Sequence, residues 1–284
     1  MRLSIVVPAH NEAGNIGRLI DETYSVVPAQ LLAEMIIVDD ASTDGTSQEV
    51  KQRITNGRYH GLRYMRCQSR CGQSAALRTG VLAATSTVIA TMDGDGQNDP
   101  RDIPRLVTLL GPLGEPGAAL VGGNRVERKD SGSKRWASKV ANWIRAALLW
   151  DNCPDTGCGI KVYWRYAYLK LPFFTSMHLY LPALFLSYGY EVRYLPVAHR
   201  SRQVGCSKYS NLSRALVGLY DLIGVSWLRQ RTRVPTIAED LGRSAAPRPV
   251  LARLRVQTPA TRRARRPHNR PSNRNLSSAR RTLQ

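Results

Sequence analysis

Short apolar runs and longer amphipathic stretches alternate along the first 125 residues of the chain. The apolar runs have the length and composition of buried strands, and they are residues 3–8, 35–38, 62–65, 88–92 and 118–121. The stretches between them have apolar side chains at helical spacing, and they are residues 11–27, 46–54, 73–84 and 102–110. This alternation predicts βαβ units, and therefore an α/β fold with a mostly parallel central sheet flanked by helices.

The second half of the chain has a less regular pattern. Residues 136–150 read as an amphipathic helix in which Trp136, Trp143 and Trp150 recur every seven residues and share one face. Residues 155–159 read as a tight glycine-containing loop, residues 190–197 as a strand, and residues 212–228 as an apolar helix. We predict one folded domain over residues 1–232.

Polar residues follow three of the predicted strands at the point where each strand ends. These clusters are residues 8–12, 39–44 and 93–97. Ligands of open α/β sheets bind outside the carboxyl ends of the strands, so three separate loops are expected to meet around one ligand. This convergence predicts a binding site without reference to any known protein.

Two acidic pairs in these clusters suggest the chemistry of the site. Asp93 and Asp95 are separated by one glycine, and two carboxylates on such a turn can share Mg²⁺ or Mn²⁺, which in turn can bridge a diphosphate. The alternative is a solvated acidic turn; the preceding buried strand and the two upstream polar loops favour the metal. Asp39 and Asp40 can accept hydrogen bonds from a ribose or a base, although Ser42 and Asp44 nearby are also suited to cap the next helix.

The charge of the chain is concentrated in its last 42 residues. Residues 243–284 contain 12 arginines and no acidic residue, whereas residues 1–242 contain 29 basic and 21 acidic side chains. We predict that this tail is disordered. A polyanion-binding protein acting through the tail is the alternative from another functional class, but it does not account for the acidic loops before residue 243. We therefore expect no specific nucleic-acid partner.

The cysteines and the first residues of the chain indicate the cellular compartment of the protein. Five cysteines make an odd number, and the absence of a C-x-x-C pair disfavours a zinc site, so we expect reduced thiols in the cytoplasm. The chain begins directly with a strand pattern, and we expect no signal peptide.

Three N-terminal motifs together resemble the family-2 glycosyltransferases of the GT-A fold. They are IVVPAHNE at residues 5–12, VDDASTDGT at 38–46 and MDGDGQ at 92–97. Three later motifs, VGGNR at 121–125, DTGCG at 155–159 and HRSRQVGCSKY at 199–209, look like the branch that contains dolichol-phosphate mannosyltransferase and undecaprenyl-phosphate sugar transferases. The resemblance extends over about residues 3–232. His10 replaces an aromatic residue, and the glycines at 94 and 96 make the acidic loop more flexible than in relatives.

The resemblance implies a role for each matching residue. Asp95 and Gln97 would hold the metal, and Asp93 would touch the nucleotide. The catalytic set would be Asp93, Asp95, Arg125 and Arg202. The nucleotide-binding set would be Pro8, His10, Glu12, Val38, Asp39, Asp40, Asp93 and Lys208, with Arg125, Arg202 and Lys208 contacting phosphates. A solvated basic loop is the alternative for the last two.

The resemblance also implies the reaction. A sugar would pass with inversion from a nucleotide-diphospho-sugar to a polyprenyl (undecaprenyl or dolichyl) phosphate, with residues 1–125 binding the donor and residues 126–210 the acceptor. A phosphate acceptor is largely dianionic at neutral pH, so no dedicated base is expected. Another glycan or lipid acceptor is the alternative. A sugar-nucleotide pyrophosphorylase would have a basic, glycine-rich loop where residues 9–12 are acidic, and a processive synthase would have a Q-x-x-R-W motif, which is absent.

The predicted helix near the end of the domain suggests a membrane surface. Residues 212–228 are too few to span a bilayer and include Asp221, so residues 211–232 are expected to form an interfacial amphipathic helix. Packing on the domain core is the alternative for this helix and for residues 136–150. We expect a peripheral protein at the cytoplasmic face of the inner membrane.

Overall fold

Strand β1 (Leu3–Ala9) runs through the middle of the domain, and all seven of its residues are buried. The computed structural model describes residues 1–110, 118–125, 145, 148–200 and 211–235, and it describes residues 211–217 by their backbone alone. Fully burying one valine, leucine or isoleucine side chain contributes about 1.5–3 kcal/mol, so the apolar runs that suggest strands also supply the core.

Seven strands form one sheet in the order β3-β2-β1-β4-β6-β5-β7. The other strands are β2 (Leu32–Asp39), β3 (Leu62–Arg66), β4 (Val88–Thr91), β5 (Leu120–Arg125), β6 (Lys161–Trp164) and β7 (Val192–Val197). The helices described are α1 (Ile16–Val26), α2 (Thr46–Thr55), α3 (Gln73–Ala83), α4 (Asp102–Leu110), α5 (Arg165–Leu169), α6 (Leu181–Ser187) and α7 (Asn211–Arg231), with a 3-10 turn at Met177–Leu179.

The sheet is mostly parallel, as the alternating pattern predicts. Strands β1, β2, β3 and β4 are parallel neighbours, and the pairing of Ala9 with Asp39 brings the carboxyl ends of β1 and β2 together. Strand β6 is antiparallel to both β4 and β5, whereas β7 is parallel to β5. The sequence pattern did not predict β6, because a four-residue run that begins with a lysine lacks a strand signature of its own.

Helix α1 begins five residues later than its apolar periodicity suggests. Asn11 and Gly14 have positive φ angles of 55° and 83°, and the backbone amides of Asn15 and Ile16 donate to the carbonyl of Glu12. Residues 11–15 therefore form a tight turn above the end of β1 instead of the first turn of the helix. The other predicted helices before residue 111 agree with the structure to within one residue at each end.

A short bridge joins the loop after β4 to the segment after β7. Asn98 pairs with His199, and the backbone amide of Arg200 donates to the carbonyl of Gln97 at 3.0 Å. The guanidinium of Arg200 then forms two 2.8 Å hydrogen bonds with Glu22 and an ion pair of 2.6 Å with Asp99. These contacts hold residues 97–99 against the segment after β7, and Glu22 connects that segment to α1.

Helix α7 confirms that residues 212–228 are helical, and it has two different faces. Leu222 and Val225 are buried, whereas Leu219, Tyr220, Ile223 and Trp227 are at least half exposed. In the chain as described, the helices are too short or too polar to cross a bilayer. Trp136 and Trp143 lie outside the described residues, while Trp150 is exposed with a φ of 49°. The predicted tail, residues 243–284, also lies outside them.

Candidate active site

A cleft of about 620 Å³ opens where the carboxyl ends of β1, β2 and β4 meet. Because β2, β1 and β4 are adjacent and parallel, the loops that follow them leave the same edge of the sheet. The lining residues that the sequence analysis named are Pro8, His10, Glu12, Asp40, Asp93, Asp95 and Gln97. Residues 156–159 and 178–179 also line the cleft. The structure therefore brings the three polar clusters together.

The loop after β1 is held by the loop after β2. The backbone amide of Asn11 donates to Ser42 Oγ at 2.9 Å, and the side-chain oxygen of Asn11 accepts from the amide of Thr43 at 2.8 Å. The amide of Glu12 donates to Thr46 Oγ1 at 2.8 Å. These reciprocal bonds give His10 and Glu12 fixed positions at the rim of the cleft.

Asp40 fixes the loop that leads into α3. Its two carboxylate oxygens accept hydrogen bonds from the backbone amides of Cys71 at 2.6 Å and Gly72 at 2.9 Å. Burial raises the pKa of Asp40, but these amide donors outweigh burial and lower the pKa below its ordinary value. The carboxylate is therefore ionised at neutral pH. His10 Nδ1 lies 2.7 Å from the carbonyl oxygen of Asp40, so the two residues form one wall of the cleft.

Asp93, Asp95 and Gln97 form the loop after β4, at the floor of the cleft. Asp93 Oδ1 accepts from the side-chain amide of Gln73 at 2.8 Å, and Asp95 Oδ1 accepts from the backbone amide of Gln97 at 3.1 Å. The side-chain nitrogen of Gln97 donates to the carbonyl of Arg200 at 3.2 Å. That bond orients the amide, and its oxygen is the atom that a cation would use.

The charges of this loop are those of a divalent-cation site. Burial, followed by the negative charge of Asp95, raises the pKa of Asp93 to about 6. Two carboxylates that repel each other in a partly buried turn are stabilised by a dication, and carboxylate and amide oxygens suit Mg²⁺ and Mn²⁺. The residues present therefore fit the metal that the sequence implies.

Val38 and Asp39 do not line the cleft, although the resemblance and the position after β2 suggest it. Both are fully buried. The Asp39 carboxylate accepts from the amide of Ser42 at 2.8 Å and from the hydroxyl of Tyr64 at 2.5 Å. Asp39 therefore shapes the β2–α2 turn from beneath, because successive residues of a strand point to opposite faces and Asp40, which is also buried, takes the face that lines the cleft.

Arg125 is engaged by a carboxylate. Its guanidinium forms a bidentate pair with Asp155, with Nε–Oδ2 and Nη2–Oδ1 distances of 2.5 and 2.7 Å. Arg125 does not line the cleft; it supports the loop at 155–159, which does. The predicted phosphate-binding residues Arg202 and Lys208 lie outside the described residues.

Four lining residues with polar or charged side chains were not predicted from the sequence: Arg70, Gln73, Lys161 and His178. Lys161 is the first residue of β6, is 5% exposed, and donates to the carbonyl of Cys158. Among the described residues no carboxylate lies within ion-pair distance of it. A buried ammonium without a paired carboxylate is costly in a fold, which makes Lys161 a candidate functional residue. Only the topology, which sets β6 beside β4, brings it to the cleft.

His178 also lines the cleft and is held there by α3. Its Nδ1 lies 2.7 Å from Ser74 Oγ, and its backbone amide donates to the same oxygen at 3.2 Å. The two residues are 104 positions apart in the chain, so no local pattern could have joined them.

Comparison with known proteins places these features in a family. The family described as glycosyl transferase family 2 matches residues 4–171. Dodecaprenyl-phosphate galacturonate synthase of Rhizobium johnstonii is 33% identical over 239 residues, which are 82% of this chain and 69% of that protein. Undecaprenyl-phosphate 4-deoxy-4-formamido-L-arabinose transferase of Yersinia pestis is 30% identical over 223 residues, which are 78% of this chain and 66% of that protein.

Solved structures support the fold. Glucosyl-3-phosphoglycerate synthase of Mycobacterium tuberculosis, in complex with Mn²⁺, UDP and phosphoglyceric acid, has a TM-score of 0.60 at 22% identity, covering 82% of this chain and 80% of that one. The same enzyme has been solved with Mg²⁺ and UDP. The predicted GT-A fold is confirmed. The chain is a glycosyltransferase and belongs to glycosyl transferase family 2.

Proposed function

We propose that the protein transfers a sugar, with inversion, from a nucleotide-diphospho-sugar to a polyprenyl phosphate. The observation that carries the proposal is the convergence of Glu12, Asp40 and Asp95 with Lys161 and His178 in the lining of one cleft. The carboxylates suit a metal-bound diphosphate, and the basic groups suit an anionic acceptor. The relatives with 30–33% identity both carry a polyprenyl phosphate in their names.

We propose that the donor occupies the β1, β2 and β4 side, formed by residues 1–125. Pro8, His10, Glu12 and Asp40 line the part nearest β1 and β2, which gives the nucleoside hydrogen-bond acceptors and a fixed wall. Asp95 and Gln97 would hold Mg²⁺ or Mn²⁺. When bound, the cation supplies positive charge that stabilises the departing nucleoside diphosphate.

Lining residues of the acceptor half of the chain would then position the polyprenyl phosphate. The lining residues between 126 and 210 share the cleft with those of the donor half, and Lys161 would bring its ammonium to a phosphate oxygen at the reacting centre. A phosphate dianion needs no proton removed before it attacks the anomeric carbon, so these residues orient the nucleophile and exclude water. A single displacement inverts the configuration of that carbon. Arg202 and Lys208 remain predicted phosphate contacts.

The exposed face of α7 supports a peripheral membrane location. Tyr220 and Trp227 are 79% and 60% exposed, and Ile223 lies between them on the same face. The last turn of the helix carries Arg231, which is exposed, and Arg229, which is half-buried with its Nε covered. Aromatic side chains next to basic ones are typical of a surface that enters the headgroup region of an anionic bilayer. We propose that α7 places the cleft near the bilayer of the inner membrane, on its cytoplasmic side.

The test is a transfer assay with purified protein. It is incubated with Mn²⁺, undecaprenyl phosphate in detergent and each of a panel of radiolabelled UDP and GDP sugars. We expect one donor to give butanol-soluble label that depends on the lipid phosphate. Transfer only to a water-soluble acceptor such as 3-phosphoglycerate, or no transfer from any donor, would contradict the proposed acceptor.

A further inference from the structure

Two cysteines and an aspartate meet beside the cleft, outside the residues that would hold Mg²⁺ or Mn²⁺. The ligand atoms of Asp40, Cys67 and Cys71 all lie within 4.8 Å of one another. The Cys71 thiol donates to Cys67 Sγ at 3.3 Å, and Cys71 is exposed while Cys67 is half-buried. The sulfur atoms therefore have access to solvent.

The backbone fixes these three side chains independently of any ion. Cys67 extends the pairing of β3 with β2, because its amide donates to the carbonyl of Asp39 at 2.8 Å. Cys71 is held by its own amide, which donates to Asp40 Oδ1, and Gly72 holds the second oxygen. Backbone donors that orient a carboxylate in this way are typical of the outer shell of a metal site.

The donor set selects a different class of cation from the acidic loop. Two thiolates and one carboxylate suit Zn²⁺, whereas the oxygen ligands of Asp95 and Gln97 suit harder cations. Zinc bonds of about 2.3 Å to sulfur place two sulfur ligands about 3.8 Å apart in a tetrahedron, so the thiols must separate by only about half an ångström. The C-x-x-x-C spacing of Cys67 and Cys71 does not by itself indicate a zinc site in the sequence. The third ligand, Asp40, comes from the end of another strand, and only the fold brings it to the two cysteines.

We propose that Asp40, Cys67 and Cys71 bind Zn²⁺, with water as the fourth ligand, and that the bound ion prevents Asp40 from serving the sugar nucleotide. Binding releases the two thiol protons to solvent and leaves a complex with a net charge of −1. Zinc would thus act as an inhibitory ligand next to the nucleotide pocket. The inhibitory role rests on the proposed function, whereas the binding itself does not.

A cadmium titration tests the binding. Full-length protein, reduced with a phosphine and stripped of metal, is titrated with Cd²⁺ while the ultraviolet sulfur-to-cadmium charge-transfer band is recorded. We expect one equivalent per chain and a loss of affinity of at least about tenfold in Cys67→Ser and in Cys71→Ser. Cys153→Ser, which changes a cysteine outside the cluster, is the matched control and should bind as the unchanged protein does. Equal binding by all three variants, or no band in the unchanged protein, would overturn the site.

A competition experiment tests the inhibitory role. The affinities of UDP and GDP are measured with Mg²⁺, with and without one equivalent of Zn²⁺. We expect zinc to weaken the bound nucleotide at least about tenfold in the unchanged protein and to have no effect in Cys67→Ser. An unchanged affinity in the presence of zinc would overturn the competition. If neither nucleotide binds without zinc, the proposed donor is wrong, and the cadmium titration still decides the metal site.

Discussion

Gly159 lies directly against the carboxylate of Asp93, and a Cβ atom at position 159 would overlap the oxygens of that carboxylate. The same carboxylate is held from the other side by the side-chain amide of Gln73. The glycine-containing loop at 155–159 therefore sets the position of Asp93 at the floor of the cleft, and Arg125 supports that loop through Asp155.

We expect Gly159→Ala to lower turnover about 100-fold, because a displacement of about 1 Å in a catalytic group can have that effect. The melting temperature should change little, since the Asp93 side chain can rotate away. Gly45→Ala is the control: a Cβ there meets its neighbours at an ordinary distance of 3.5 Å. Comparable kinetics for Gly159→Ala and Gly45→Ala would show that the contact with Asp93 does not matter.

Asp95→Asn is expected to remove metal-activated turnover while the protein stays folded. The neutral amide of asparagine binds a dication more weakly than the carboxylate it replaces. Loss of the cation that stabilises the departing diphosphate costs several kcal/mol in the transition state, or at least about 100-fold in rate. In the metal-free protein the substitution relieves repulsion with Asp93, so the melting temperature should not fall. The turnover rate of Asp95→Asn, measured as a function of Mn²⁺ concentration, tests this expectation. Near-normal activity of the variant would count against metal binding by Asp95.

Lys161→Met is expected to lower kcat about 100-fold while the affinity for a nucleoside diphosphate changes less than threefold. Methionine keeps the apolar stem and removes only the charge, which would no longer face the acceptor phosphate. Lys161→Arg should restore part of the rate. A structural role alone predicts a lower melting temperature with unchanged kcat and no rescue by arginine, and that result would dismiss the phosphate contact.

Glu34 is expected to make stability depend on pH in the acid range. Burial raises its pKa, but hydrogen bonds from Thr85, Ser4 and Arg63 outweigh burial and lower the pKa to about 2 from 4.5. Because the pKa of Glu34 is lower in the folded state than in the unfolded state, its ionised form stabilises the protein above pH 4.5 by about 3 kcal/mol. This contribution is lost as the pH falls from about 4.5 to about 2.

Urea unfolding of Glu34→Gln checks this expectation. The variant should be less stable than the unchanged protein by about 2–3 kcal/mol at pH 7, and the difference should shrink towards pH 2, where Glu34 is protonated in the unfolded chain and about half protonated in the folded one. A difference that stays constant between pH 7 and pH 2 would show that the carboxylate charge contributes nothing.

Trp227→Ser is expected to weaken binding to vesicles that contain anionic lipid, because it removes a large apolar side chain from the exposed face of α7. Flotation of protein with vesicles measures the bound fraction. Leu82→Ser removes an apolar side chain of 55% exposure from α3 and is the control. Equal flotation of both variants, or no flotation of the unchanged protein, would contradict membrane binding by the exposed face of α7.

The sequence predicts the donor side of the site better than the other side, for a physical reason. Glu12, Asp40 and Asp95 each follow a strand whose apolar run is visible in isolation, so the parallel topology alone brings them together. Lys161 and His178 reach the cleft through an antiparallel strand and a 3-10 turn that have no periodic signature. Contacts between segments about 100 residues apart, such as Ser74 with His178, depend on the whole fold.

The same dependence on the whole fold explains why some of the predicted site residues do not line the cleft. Asp39 and Asp40 are adjacent, chemically identical and both buried, and only the direction of the strand separates the one beneath the β2–α2 turn from the one that lines the cleft. Arg125 matches a motif of the family, but the sequence does not reveal that Asp155 engages its guanidinium in the folded chain.

Calorimetric titration with UDP and GDP, each in Mn²⁺ and in EDTA, tests most directly whether a cation on Asp95 and Gln97 holds a diphosphate in this cleft. The account predicts that one nucleotide binds at one site per chain with Mn²⁺, and that the affinity falls at least about 100-fold in EDTA and in Asp95→Asn. Equal affinity with and without the cation, or in Asp95→Asn, would contradict it.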